Sequence, residues 1–284
     1  MTASRTLVVV HETVDICARF LPLPAGRRLV FSYGTEVPDG PALSYWTWGG
    51  HAARLARAGL APALAAPPPD WESTIDVDLM GRAVMTVPLG ELPMERGPLF
   101  VKPADFKVRG LSAAVWDPAQ FVARALQLGV LEQSLVQYTA TVLDLDLEHR
   151  FVVADGKVVT GSPYLIAGVG YHPAMASPRF ADAEAYARRV VSALGTECPP
   201  AMCLDVGWDR RSGRWVIVEA NALWSSGMYG CDAQAFTLGV EVANSAGHGR
   251  WAWTPDVHQR QRAESLALVR AVPEDQASAW MPIR

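Results

Sequence analysis

The residues best placed to do chemistry lie in the run Trp215-Val-Ile-Val-Glu219-Ala-Asn221-Ala-Leu-Trp-Ser225-Ser226-Gly227. Glu219 and Asn221 are two apart at the end of an apolar stretch. On a strand both side chains leave the same face, just where a buried strand reaches the surface. A carboxylate and a carboxamide there offer hard oxygen donors, the kind Mg²⁺ prefers. An upstream strand holds Leu204-Asp205-Val206-Gly207, and a turn at Ser212-Gly213 folds it back. That hairpin predicts Asp205 beside Glu219, so that Asp205, Glu219 and Asn221 converge. A strand-end cap and turn is the other reading of the same pair.

A second group is cationic. Phe100-Val-Lys102-Pro103 reads as a buried strand ending in Lys, followed by a loop with Lys107, Arg109 and Gly110. A terminal Lys can reach phosphate oxygens as a point charge. A third group is Gln137-Tyr138-Thr139, at the polar end of an apolar strand, followed by Glu148-His149-Arg150. Glu148 and Arg150 are again two apart and share a face. Other chemistries lack their motifs: there is no G-x-x-x-x-G-K-[ST], no H-E-x-x-H and no G-x-S-x-G. Gly168-Val169-Gly170 reads as a loop, and the six histidines are scattered.

The elements that must position these residues follow from pattern. Thr6–Val10 and Arg28–Tyr33 read as strands, and His51–Ala58 as a helix stopped by Gly59. Three consecutive prolines, Pro67 to Pro69, predict a stiff linker or surface loop. Ala83–Val87 reads as a strand, and Glu91–Pro98 as the domain boundary. Beyond it come a strand at Leu99–Lys102, then a helix capped by Asp117-Pro118 and ended by Gly129. Strands at Ser134–Leu143 and Arg150–Val153 follow, with an Asp155-Gly156 turn into Lys157–Thr160. A helix at Asp182–Leu194 precedes the Met202–Trp208/Arg214–Ala220 hairpin, and Asp232–Ala243 closes as a helix. The expectation is a small α/β domain over 1–94, an α+β domain over 95–245, and a tail over 246–284 packing on it.

Composition narrows the function. The chain has 284 residues, 50% hydrophobic and 19% charged, with a net charge of -4. It is therefore a folded chain, and its acidity argues against nucleic acid as a partner. No run approaches the length of a membrane span. Cys17, Cys198, Cys203 and Cys231 contain no C-x-x-C pair and predict reduced thiols, hence a cytoplasmic protein.

The order K-P, E-x-R strand, D-x-G, E-x-N and Ser/Gly loop resembles the ATP-grasp fold. More narrowly, "FVKP…KVRG", "LEHRFVVADGKVVTGSPY" and "VIVEANALWSSGMYGCD" resemble the R-two-K clade of family 3 type, over about residues 99 to 235. The resemblance implies ATP held between two α+β subdomains, with the leading α/β domain shaping the substrate cleft. It implies Lys102 on the phosphates and the Lys107–Gly110 segment as lid. Gln137, Tyr138 and Thr139 become an adenine hinge, and Glu148 an acceptor for the ribose hydroxyls. Asp205, Glu219 and Asn221 become ligands for one or two Mg²⁺ ions, which Mn²⁺ can replace, and Ser225, Ser226 and Gly227 the substrate loop. The related D-alanine ligase branch carries Arg two residues before the metal-binding Asp, where this chain has Cys203. Shared strand-face parity with Asp205 predicts that Cys203 points into the cleft, with Arg150 or Arg109 supplying the missing charge; Lys107 completes the catalytic cations. The implied activity is a carboxylate-amine ligase forming an amide or peptide bond through an acylphosphate, acting on small-molecule or peptide substrates. A non-catalytic nucleotide-binding or regulatory module, and a phosphotransferase, are the alternatives.

Overall fold

The computed structural model describes residues 5–10, 23–32, 36–37, 43–59, 63–172, 175–245, 247–264 and 269–270. His11, Glu12, Cys17, Tyr33 and Gly34 lie outside the described residues.

The leading segment holds β1 (Arg5–Val10), β2 (Arg27–Ser32), β3 (Glu36–Val37) and β4 (Leu43–Trp46), then α1 (Gly49–Arg57). β1 runs parallel to both β2 and β4, in the order β2-β1-β4. Leu7, Val8, Val9 and Val10 are all buried, as a strand covered on both faces requires. Two short helices follow the prolines, α2 (Trp71–Thr74) and α3 (Val77–Met80).

A four-stranded antiparallel sheet comes next, from β5 (Met85–Pro88), β6 (Leu99–Pro103), β7 (Ala114–Trp116) and, after α4 (Pro118–Gln127), β8 (Leu135–Thr139). α4 is started by the Asp117 carboxylate, which accepts from the Gln120 amide at 3.0 Å. Its Phe121 and Ala125 face Leu99, Val101 and Val136. β5 pairs with β8, so this sheet includes residues on the N-terminal side of the boundary expected at 91–98. Strand pairing, which is non-local, decides that.

The largest sheet is antiparallel: β9 (Leu145–Ala154), β10 (Lys157–Ile166), β11 (Val169–Gly170), β12 (Ala201–Asp209) and β13 (Arg214–Asn221), in the order β11-β10-β9-β12-β13. Asp155 and Gly156 take positive φ of 47° and 70° at the β9–β10 turn, as a two-residue hairpin demands. The 168–170 segment, expected as a loop, instead adds β11 at the sheet edge: Ala167 and Gly168 turn left-handed and Ile166 pairs with Val169. α5 (Phe180–Leu194) covers one face through Ala183, Tyr186, Ala187, Val190 and Val191. α6 (Ala233–Ala243) covers the other with Phe236 and Val240, joined by Leu7 and Val9 of the first sheet. α7 (Val257–Glu264) packs on α1, and β14 (Val269–Arg270) pairs with β3. Cys198, Cys203 and Cys231 are free and buried. Among the described residues, no helix is long and apolar enough to cross a membrane.

His149 lies fully buried on β9, packed against Phe151, Phe180 and Trp215. Neither ring nitrogen has a hydrogen-bond partner among the described residues. Burial pushes its pKa down to about 4. The unfolded chain therefore binds a proton below about pH 6.5 that the folded chain refuses until about pH 4. Stability should fall through that window by on the order of 3 kcal/mol. Urea melts from pH 7 to pH 4 check this, and His149→Phe should flatten the curve there. An unchanged slope would assign the acid sensitivity elsewhere.

Candidate active site

A cleft of about 760 Å³ opens between the four-stranded and five-stranded sheets, with α1 and the segment after α6 as further walls. Its chemistry comes from strand ends. β6 delivers Lys102, β13 delivers Glu219 and Asn221, and β9 delivers Arg150. The hairpin brings Asp205 near Glu219, as expected, and a register shift between Val206 and Asp205 makes the two direct partners. The β9–β12 register sets Arg150 opposite Asp205.

These side chains form one hydrogen-bonded group. Lys102 Nζ donates to Glu219 Oε2 at 2.9 Å. The Asn221 amide donates to Glu219 Oε1 at 2.8 Å and to Asp205 Oδ2 at 3.3 Å. With both amide protons aimed at carboxylates, the Asn221 carbonyl oxygen is the atom left to accept or ligate. Arg150 grips Asp205 with both ends of its fork, Nε to Oδ1 at 2.8 Å and Nη2 to Oδ2 at 2.6 Å. Its third donor reaches the Gly227 carbonyl at 3.1 Å. The Arg150 guanidinium lies over the Tyr229 ring at 5.0 Å, and Tyr229 stacks on Tyr164. Tyr229 adopts a φ of 49°, costly for a residue with a side chain, so the surrounding contacts must hold it there.

The electrostatics follow. Lys102 holds the Glu219 carboxyl far below the usual carboxylate range, against its burial. Burial opposes charge on Lys102, but Glu219 and Glu72 outweigh it and raise its pKa. Burial likewise opposes charge on Arg150, and Asp205 outweighs it. Burial raises the Asp205 pKa against the pull of Arg150. Lys102, Arg150 and Glu219 carry charge at neutral pH.

Glu72 was not legible in the sequence. It sits buried on α2, with Oε1 3.5 Å from Lys102 Nζ and accepting from the Ala220 amide at 3.2 Å. Nothing in its spacing marks it; the chain brings it in from thirty residues before Lys102. The prolines are also more than a linker. Pro67, Pro68 and Pro69 line the cleft, and the Pro69 carbonyl accepts from Gln137 Nε2 at 2.8 Å. Trp48 and Trp71 line the cleft too, whereas Trp46 is core and donates to the Ser226 carbonyl at 2.7 Å. Trp253, His258 and Gln259 reach the cleft from the tail.

The other expected residues divide. Gln137 and Lys107 line the cleft; Arg109 is exposed outside it. The Tyr138 ring packs into the core beneath β8, and Thr139 Oγ1 accepts from the Thr141 amide at 3.1 Å. Gln137 and Tyr138 are flanked by β5 and β6, so their backbone is committed to the sheet, whereas Thr139 pairs with β6 alone. Glu148 stands behind Tyr164 and accepts from its hydroxyl. Burial, with Asp205 and Glu219 nearby, raises the Glu148 pKa. Ser225, Ser226 and Gly227 all line the cleft, though Ser226 Oγ is spent on the Ala222 carbonyl at 2.8 Å. Cys203 departs from expectation. It shares the strand parity of Asp205, but the Leu223–Met228 segment and α6 cover that face, and Cys203 joins the core beneath. The guanidinium that meets Asp205 comes from Arg150 on the neighbouring strand.

The donor set fits a hard divalent cation. Among the described residues, no three His, Cys, Asp or Glu side chains gather into a metal cage. Glu219 and the Asn221 carbonyl at a cleft edge instead make the partial set that Mg²⁺ takes when phosphates and water supply the rest. Asp205, with both oxygens on Arg150, reaches this set only through the Asn221 amide. Among the described residues the buried acceptors Glu72 Oε2 and Gln137 Oε1 have no partner, and both residues line the cleft.

Residues 79–238, more than half of the chain, match the ATP-grasp domain of R-two-K clade family 2. The chain belongs to this family. The clade is the one the sequence motifs resemble; the family within it is 2, not 3. No curated protein matches the chain significantly. Among solved structures, D-cycloserine synthetase DcsG superposes with a TM-score of 0.50 at 14% identity, over 84% of this chain and 99% of that one. A RimK domain ATP-grasp protein from Sphaerobacter thermophilus DSM 20745 gives 0.46 at 16% identity, over 84% of this chain and 97% of that one. At such identities the DcsG likeness speaks to fold, and the ATP-grasp fold is what it shares.

Lys102→Ala is expected to weaken nucleotide binding tenfold or more, about 1.4 kcal/mol. Its ammonium bonds Glu219 and lies 3.5 Å from Glu72, and removal leaves the two carboxylates without the cation between them. Calorimetric titration with an ATP analogue measures the loss. Unchanged affinity would make Lys102 a structural counter-ion only.

Proposed function

We propose that this ATP-grasp protein is an ATP-dependent carboxylate-amine ligase, with small-molecule or peptide substrates. A substrate carboxylate oxygen attacks the γ-phosphorus, ADP departs, an amine displaces phosphate from the acylphosphate, and an amide results. The observation that carries this reading is the convergence of Lys102, Arg150, Glu219 and Asn221 on one edge of a cleft between two sheets.

Each part has a task. Glu219 and Asn221 would hold Mg²⁺, with Asp205 behind them fixing the Asn221 amide and Arg150. When bound, the cation neutralises phosphate oxygens and serves as a template for in-line transfer. Lys102 would meet the α- and β-phosphates, and Lys107 would approach from the loop after β6. Arg150 is already oriented by Asp205, Gly227 and Tyr229, so its remaining face can meet charge developing on the transferred phosphoryl group without reorganising. Adenine would lie at the exit of β8, near Thr139, with Tyr164 and Glu148 towards the ribose. The Ser225–Gly227 loop would meet the acyl group.

ADP release with and without candidate amines tests the reading. ADP together with an amide is the expected result. A stable phosphorylated product would indicate a phosphotransferase, and no turnover with any acid and amine pair would indicate a binding module.

A further inference from the structure

β13 carries a β-bulge immediately before its functional residues. Asp205 pairs with Glu219, but the next residue of β12, Val206, pairs with Ile217, so Val218 is the extra residue. The bulge changes which way the following side chains face. In an unbroken strand Trp215, Ile217, Glu219 and Asn221 would share one face, the one where Trp215 and Ile217 enter the core under α5. With Val218 inserted, Ala220 takes the core face, and Glu219 and Asn221 turn to the side of Asp205 and the cleft.

The bulge has a dedicated partner. Arg82, buried just after α3, donates to the Ile217 carbonyl at 2.8 Å through Nη1 and to the Val218 carbonyl at 2.8 Å through Nη2. Successive carbonyls of a regular strand point to opposite edges, so one guanidinium meets both only where the strand is bulged. Among the described residues β13 is the edge strand, and no strand lies beside it on the side of Arg82. Nη1 also reaches the Met80 carbonyl at 3.2 Å. The approach is tight: Gly81 has a φ of +74°, and a Cβ there would lie 2.4 Å from Val216 Cγ1. Arg82 is not among the residues lining the cleft.

We propose that Arg82 is a positioning residue for the metal site, bridging the two bulge carbonyls so that Glu219 and Asn221 face the cleft. The proposal rests on the reading of Glu219 and Asn221 as metal-holding residues. Lysine keeps the charge at this position but has one nitrogen in place of the planar fork whose two arms each meet a carbonyl.

The test is Mn²⁺ affinity, read by electron paramagnetic resonance with a non-hydrolysable ATP analogue present. Wild type, Arg82→Lys, Arg82→Met and Glu219→Gln are compared in the full-length chain, each with and without deletion of Val218. Deleting Val218 removes the bulge, yet regular alternation then keeps Trp215, Ile217 and Ala220 on the core face and Glu219 and Asn221 opposite. In the full-length strand both Arg82 variants should lose at least tenfold in Mn²⁺ affinity. In the deleted strand Arg82→Lys and Arg82→Met should each change it by less than twofold. Equal losses in both backgrounds, or wild-type affinity in a folded Arg82→Lys or Arg82→Met protein, would overturn the proposal. Where Arg82→Met does not fold, the Arg82→Lys comparison across the two backgrounds decides. Wild-type affinity no greater than that of Glu219→Gln would instead overturn the metal site itself.

Discussion

Glu219→Gln should cut turnover by about 10²–10³-fold, the scale of losing one preorganised electrostatic group. The substitution keeps the shape of the side chain and removes its charge. Glu219 now accepts from Lys102 at one oxygen and from Asn221 at the other. A glutamine has one acceptor for these two donors, and its own amide must face the second. Lys102 would then rely on Glu72, 3.5 Å away, and Asn221 would lose the contact that orients its carbonyl. The residue is partly exposed, so the fold should survive with a melting temperature near that of wild type. Because Lys102 holds Glu219 so far below the usual carboxylate range, Glu219 should stay ionised across the neutral range and give no limb to the rate profile there. ADP release at saturating ATP and varied Mg²⁺ measures the effect. Wild-type turnover in the glutamine protein would remove Glu219 from the metal site.

Arg150→Ala should cost both stability and rate. Asp205 is completely buried, and two of its closest contacts come from this one guanidinium. Truncation leaves a buried carboxylate with only the Asn221 amide, at a cost of about 3–5 kcal/mol. The rate should fall by about 10²–10³-fold in kcat, as for removal of one preorganised donor. Arg150→Lys separates the two effects. An ammonium restores the charge beside Asp205, and part of the stability with it, but not the fork that also reaches Gly227. Replacing the pair together, Arg150→Met with Asp205→Leu, should recover stability without recovering turnover. Thermal melts and ADP release on the same preparations give both numbers. A kcat within about threefold of wild type in Arg150→Ala, short of the donor-loss range, would leave Arg150 a purely structural cation.

Much of the candidate site was legible because its residues are carried by local patterns. Lys102, Glu219, Asn221 and Arg150 all stand on strands with clear apolar runs, and the hairpin at Ser212-Gly213 brought Asp205 near Glu219, although a regular register would pair it with Val218. Asp117-Pro118 and Asp232 announced their helices by capping, which involves only neighbours in sequence. Cys203 shows where parity stops being enough. Alternation correctly put it on the face of Asp205, but whether that face is open depends on the Leu223–Met228 segment and α6, which cross it from elsewhere in the chain.

By itself, the sequence determined most of the longer strands and helices, the α+β class, and the carboxylate, amide and cations that stand at strand ends; β4, β7, β11 and the short helices after the prolines were not read from it. Periodicity, capping and turn chemistry act within a few residues, so they can be read in order along the chain. Tertiary structure alone decided that β5 joins the sheet of β8, that Glu72 meets Lys102, and that Arg150 rather than Arg109 grips Asp205. It also decided the facing of Glu219 and Asn221. Alternation in the sequence places them with Ile217, and only the bulge at Val218, held by Arg82 from a distant segment, turns them to the cleft. The reason is physical: which face a strand residue presents is set by pairing register and by what covers the sheet, and both are interactions between segments far apart in the chain.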